Sequence, residues 1–389
     1  MIIQEDDNKK IHTSTRNQYI PSIHNKKTSL LKHYKYMISF LFYLLLVCVI
    51  VAFITKRKKN NIKITLSRKS LDNENNKKIF LEKLGTILDK GEIFENEMMD
   101  KHTTFQIGGP AKYFVKPKSI NKIIRILQLC KEYSIEYFIL GNGSNLLVSD
   151  KGYDGLVINI HEENFSDLKV EQIDNINYKI TVGGGILMRT LAKKLCLLSL
   201  SGLEDIIDIP GTIGGGIIMN ASAGLKKNLI YNSLEKVKII TPEGEIKDLS
   251  KKECHLGHRT SLLKEKKYLV IEATFKLQKT DKMIIQKTMA DHTSARYSNQ
   301  PMYFPSAGCF FVWFKPKFGS LYDKYKENNL VSYRIGDAMI YTHNIGFIVN
   351  LGNSKASEVY QIVTHVEKVF RDKYNITIRR EVVLLGSFP

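Results

Sequence analysis

At 389 residues, with 43% hydrophobic and 25% charged residues, the chain is long enough for two globular domains and a sizeable core. The formal charge of +19 suggests a polyanion binder, but residues 1–78 hold 16 Lys/Arg against 5 Asp/Glu, so +11 of that charge lies in the leader. The mildly basic body suits a small anionic ligand and requires no nucleic-acid groove. Cys48, Cys130, Cys196, Cys254 and Cys309 form no C-x-x-C pair, and their odd number and wide spacing argue against a disulfide framework or a zinc site.

Residues 1–35 are polar, basic and without periodicity, which reads as a disordered tail. Tyr36–Ile54 is an uncharged apolar run stopped by Lys56-Arg-Lys-Lys59, long enough for a transmembrane helix over 36–55. A basic linker follows over 56–85. The run is read as a retained single-span membrane anchor; a two-part leader to a membrane-bound organelle is the alternative.

The globular pattern begins at Ile79. Ile79–Gly85 predicts a short helix ending at its glycine. Strands are expected at Ala111–Val115, Tyr137–Leu140, Leu156–Ile160, Tyr178–Val182, Val237–Thr241, Glu245–Leu249 and Tyr268–Gln278. Helical spacing marks Ile120–Tyr133, Leu187–Leu198 and Met283–Ala295. Ser354–Lys373 carries the clearest apolar stripe, which should pack on strands at Gly346–Asn350 and Ile376–Leu385. This irregular mixture indicates an α+β fold rather than a doubly wound sheet.

Two glycine-dense stretches stand out. Ile209–Gly224 packs Gly211, Gly214, Gly215 and Gly216 behind Pro210, a density that disfavours a regular helix or strand. Leu140–Asp150 places Gly141 and Gly143 beside Asn142, Ser144 and Asn145. Neither fits the familiar phosphate signatures, so together they indicate a pyrophosphate-bearing cofactor of unspecified kind.

The ordered series of Thr103–Pro110, Leu140–Asp150, Ile209–Ala223, His258–Ser261, Gln300-Pro301, Pro305–Cys309, Gly346–Asn350 and Glu381-Val382 closely resembles the flavin-dependent UDP-N-acetylenolpyruvoylglucosamine reductases. The resemblance implies a two-lobed FAD-binding domain of the p-cresol methylhydroxylase/vanillyl-alcohol oxidase type at 86–282. A smaller α+β substrate domain would follow at 283–389. It further implies FAD as cofactor, NADPH as reductant and a UDP-sugar enolpyruvyl ether as substrate. On this resemblance Gly108, Gly109, Gly141, Asn142, Gly143, Ser144, Asn145, Gly211, Thr212, Gly214, Gly215, Asn220 and Ala221 would hold FAD, with Gly183–Gly185 lining it. Arg296, Gln300 and Lys315 would contact the substrate.

Three residues carry the chemistry in this comparison. Arg259 would face the substrate carboxylate and the enolate charge with its guanidinium fork. Glu381 would orient that arginine, although a glutamate after Arg379-Arg380 also reads as a solvated ion pair. Cys309 stands where the family usually has a proton-donating serine, and a thiol can supply the same proton. The pattern departs at Cys309–Pro316, which carries two extra residues, and at Tyr341–Asn344. A related FAD-dependent oxidase or dehydrogenase, or an inactive anchored flavoprotein scaffold, therefore remains open.

Overall fold

The computed structural model describes Thr55 and residues 75–160, 163–221, 230–312 and 320–389. The tail, the apolar run at 36–54, and Lys315 lie outside the described residues. Among the described residues, no helix is long and apolar enough to cross a membrane.

Three sheets carry the body. The first has order β1-β2-β5-β3: Ile93–Met98, Pro110–Val115, Tyr153–Asn159 and Tyr137–Leu140. Its last three strands are parallel, and β1 is antiparallel to β2. Helix α1 (75–87) and helix α2 (Ile120–Glu132) cover it, through Phe80, Leu84, Ile123, Ile126 and Leu127. Ser119 caps α2 by accepting from the Lys122 N–H. Helix α1 runs on through Gly85, where the sequence predicted a stop. Its apolar spacing continues to Ile87, and burial of that face offsets a glycine cost of about 1 kcal/mol.

The second sheet is antiparallel, with order β10-β9-β11-β7-β6: Ile246–Ser250, Leu234–Ile240, Leu269–Lys279, Asn177–Gly183 and Leu168–Gln172. The two-residue β8 (Leu200–Ser201) joins β11. Helix α3 (Met188–Leu197) packs Leu191 and Leu195 into the same core as Val182, Val237 and Phe275. The third sheet, order β12-β15-β14-β13, comprises Ser306–Cys309, Phe347–Asn350, Ala338–Ile340 and Arg334–Ile335. Against it lies α8 (Ala356–Tyr374), burying Val359, Ile362, Val363, Val366 and Phe370. Each such side chain contributes about 1.5–3 kcal/mol.

The predicted strand at Ile376–Leu385 is corrected. Only Val383–Leu385 forms one, β16, and it pairs in parallel with β4 (Leu146–Val148), more than 200 residues earlier. Ahead of it, the chain is held by single contacts, such as the bridge of Arg380 with Phe311. Buried Asn350 makes a second tie. Its amide donates to the carbonyl of Phe105 at 3.1 Å, and its Oδ1 accepts from the N–H groups of Gly352 and Ser354.

Candidate active site

The second glycine stretch is not the irregular loop expected. Ile213–Ile218 forms the short helix α4, and Thr212 caps it by accepting from the Gly215 N–H at 3.2 Å. Close packing explains the glycines. A Cβ on Gly214 would meet the carbonyl oxygens of Gly184 and Val270 at 3.0 Å, and one on Gly216 would meet Met188 at 1.9 Å. Consequently the Gly214 N–H is taken by the Gly184 carbonyl, and the amides of Gly183, Gly184 and Gly185 are likewise bonded within the fold. Gly109 donates to the Ser149 carbonyl, and a Cβ there would stand 2.2 Å from the Asp150 oxygen. These glycines shape the walls without offering free amides.

The first stretch differs. Among the described residues, the N–H groups of Asn142, Gly143, Ser144 and Asn145 donate to no protein acceptor. Gly143, at φ +60, accepts from Thr104 N–H, and a Cβ there would stand 2.1 Å from the His102 carbonyl oxygen. The two stretches meet. Asn142 donates its amide to the Pro210 carbonyl at 2.6 Å, a Cβ on Gly141 would touch the Thr212 hydroxyl, and one on Gly211 would lie 3.3 Å from the Ser144 hydroxyl. Four unbonded amides beside glycine walls and two hydroxyls fit a phosphate-bearing cofactor. Asn142–Asn145 would hold it, with Gly211 and Thr212 closing the cradle. Ala221, further along the second stretch, has its N–H bonded to the Gly216 carbonyl.

Both stretches are bonded to the residues that carry charge. Arg259 Nε lies 2.6 Å from Glu381 Oε1, with the side chains 18% and 15% exposed. Arg259 also donates from a terminal nitrogen to the Asn220 carbonyl at 3.1 Å, and Asn220 donates its amide to Gly257 at 2.7 Å. On the other side Asn145 donates its amide to the Glu381 carbonyl at 3.1 Å, and Val383 N–H donates to the Asn145 carbonyl. The two asparagines, expected to touch cofactor, thus also fix the ion pair. Arg259 sits at the tip of a tight turn with φ +58, where Gly257 and Thr260 exchange backbone hydrogen bonds. A bulky side chain held in this region costs about 1–3 kcal/mol, a strain concentrated at functional sites. Burial raises the Glu381 carboxyl above its ordinary value, and the Arg259 charge pulls it part of the way back. The solvated pair suggested by Arg379-Arg380 is not what forms: Arg380 forks onto Glu367 at 2.5 and 2.6 Å.

Cys309 ends β12, half-buried, and the Phe310 carbonyl next to it accepts from Glu381 N–H at 2.8 Å. A register shift between Ser306 and Cys309, with Gly308 at φ +78, re-aims this strand end. Arg296, in the last turn of α6 (Lys282–Asn299), is buried, and its carbonyl accepts from Gln300 N–H. Burial lowers the Arg296 pKa, and the charge of Asp208 counteracts part of this. No group of residues that could hold a metal ion occurs among the described residues. Sequence reasoning missed Lys264 and Arg379, which line a cavity of about 340 Å³ beside the Arg259–Glu381 pair. The Arg379-Arg380 run was the available signal.

Residues 111–250 match the FAD binding domain family, and residues 300–385 match the C-terminal domain of UDP-N-acetylenolpyruvoylglucosamine reductase. The UDP-N-acetylenolpyruvoylglucosamine reductase of Lachnoclostridium phytofermentans is 34% identical over 79% of this chain and 98% of its own. That of Alkaliphilus metalliredigens is 36% identical over 76% and 94%. The crystal structure of the Thermus caldophilus reductase superposes with a TM-score of 0.61 at 30% identity, over 75% of this chain and 98% of that one.

Proposed function

Since the chain belongs to the UDP-N-acetylenolpyruvoylglucosamine reductase family of FAD-dependent oxidoreductases, we propose that it reduces the enolpyruvyl ether of UDP-N-acetylglucosamine enolpyruvate to UDP-N-acetylmuramate, with NADPH as reductant. The observation that carries this reading is the Arg259–Glu381 pair, bonded through Asn220 and Asn145 to both glycine stretches. That linkage sets an anion-stabilising group beside the cofactor cradle.

FAD, held by the Asn142–Asn145 amides with Gly211 and Thr212, would supply the hydride chemistry at C3 of the enolpyruvyl group that no side chain can provide. The remaining steps belong to side chains. Arg259 faces the carboxylate and neutralises charge that spreads onto it as the carbon–carbon double bond gives way. Glu381 holds the guanidinium in one orientation. Cys309 completes the addition: its S–H bond breaks, a C–H bond forms at C2, and solvent reprotonates the thiolate. One hydride and one proton thus add across one double bond.

The test uses the FAD-loaded full chain under anaerobic conditions. NADPH should bleach the flavin band, and UDP-N-acetylglucosamine enolpyruvate should restore it with one equivalent of UDP-N-acetylmuramate formed. Bleaching that the enolpyruvyl ether cannot reverse would refute the reading, as would a chain that takes up no FAD.

A further inference from the structure

The cavity beside the catalytic pair is unevenly charged. Arg259, Lys264, Arg379 and Arg380 contribute to its walls, against Glu265 and Glu381. Two of the four cations are paired with a carboxylate, Arg259 with Glu381 through its Nε and Arg380 with Glu367. Arg379 donates to the His258 carbonyl at 3.0 Å, which fixes its guanidinium against the turn that carries Arg259. Among the described residues, neither Arg379 nor Lys264 forms an ion pair with a carboxylate. Lys264 is anchored at its backbone, its N–H donating to the Ser261 hydroxyl at 3.0 Å in the first turn of helix α5 (Leu262–Glu265). Burial and the charge of Arg379 lower the Lys264 pKa, and Glu381 offsets only part of this, so the two cations share a wall whose nearest carboxylate is already paired with Arg259.

We propose that Lys264 and Arg379 form an anion subsite that receives a phosphate group of a nucleotide ligand next to the Arg259–Glu381 pair. A planar fork and a point charge on one wall match a phosphate's several oxygens better than a single carboxylate. The assignment rests on the proposed reaction for its choice of nucleotides. Two of them carry the chemistry: the diphosphate of the UDP-sugar, and the 2′-phosphate that distinguishes NADPH from NADH.

Inorganic pyrophosphate is the direct probe, titrated calorimetrically into the FAD-loaded full chain. Lys264→Gln and Arg379→Gln should each weaken its binding about tenfold or more, the usual effect of removing a charge-assisted hydrogen bond. Arg379→Lys, which keeps the charge, should recover part of that loss. The same variants should lose either their preference for NADPH over NADH or their affinity for the UDP-sugar, and which one changes identifies the source of the phosphate. Both side chains are peripheral enough for the variants to keep bound flavin, and the flavin spectrum checks this. Pyrophosphate binding unchanged in both glutamine variants would overturn the subsite, as would a loss that neither nucleotide shares. If pyrophosphate binding falls but no enolpyruvyl ether is reduced, the subsite stands and the proposed reaction fails.

Discussion

Replacing Arg259 with lysine separates its fork from its charge. The guanidinium faces two acceptors at once, Glu381 Oε1 at 2.6 Å and the Asn220 carbonyl at 3.1 Å. A lysine ammonium on a flexible stem reaches one of them and leaves the other short of a donor. The pair is more than four-fifths buried, so solvent screening removes little of the loss. One hydrogen bond to a charged group is worth about 1.5–3 kcal/mol, which corresponds to a rate reduction of about 10- to 150-fold. Both residues occupy φ +58 at similar backbone cost, and Asn220 still holds Gly257, so the turn itself should persist. Anaerobic stopped-flow spectroscopy separates the two half-reactions. Arg259→Lys should slow flavin reoxidation by the enolpyruvyl substrate and leave flavin reduction by NADPH near the wild-type rate. Reoxidation at the wild-type rate, or equal slowing of both half-reactions, would refute the role given to the fork.

Cys309→Ala should behave similarly, losing about 100-fold or more in reoxidation as expected for a missing general acid, while Cys309→Ser recovers much of it; single-turnover kinetics checks both. Gly143→Ala places a methyl group 2.1 Å from the His102 carbonyl oxygen at φ +60, and should abolish or strongly weaken FAD uptake, measured by flavin fluorescence. Among the described residues, buried Asp205 forms no ion pair with a cation, and burial pushes its carboxyl from 3.8 up to about 7. Its folded pKa is raised, so this group's contribution to stability is fully present below about pH 4 and lost as pH rises through about 7. Keeping it ionised at higher pH costs about 4 kcal/mol at most. Asp205→Asn should therefore raise stability at pH 8 relative to wild type and show no such gain at pH 4, as followed by urea unfolding.

The periodic elements were legible in the sequence. Ile120–Tyr133, Leu187–Leu198 and Ser354–Lys373 are helices within two residues of their predicted ends, because an apolar stripe at helical spacing must be buried to persist. The glycine stretch at 211–216 was misread in form. Glycine's cost in a helix counts against α4, but Thr212 caps it and close approach to Gly184 and Val270 requires the missing side chains. Arg259, Cys309 and Glu381 were placed through the family's ordered motifs. The structure joins Arg259 to Glu381 directly and sets Cys309 one residue from the carbonyl bonded to Glu381 N–H. What local reading could not reach were ties between distant segments. Asn145 with Glu381 and Asn220 with Arg259 join residues far apart in sequence, and nothing in an asparagine announces such a partner.

The parallel pairing of β4 with β16 has a consequence for any attempt to divide the chain. β4 continues directly from the Asn142–Asn145 amides, and β16 is its sheet partner. A fragment limited to 111–250 would leave β4 as a bare edge with unanswered N–H and C=O groups, which invites intermolecular strand addition. The same cut would release the Asn145 carbonyl from Val383. Such a piece should aggregate instead of acting as a free-standing flavin carrier, and adding back 300–389 in trans should suppress that self-association.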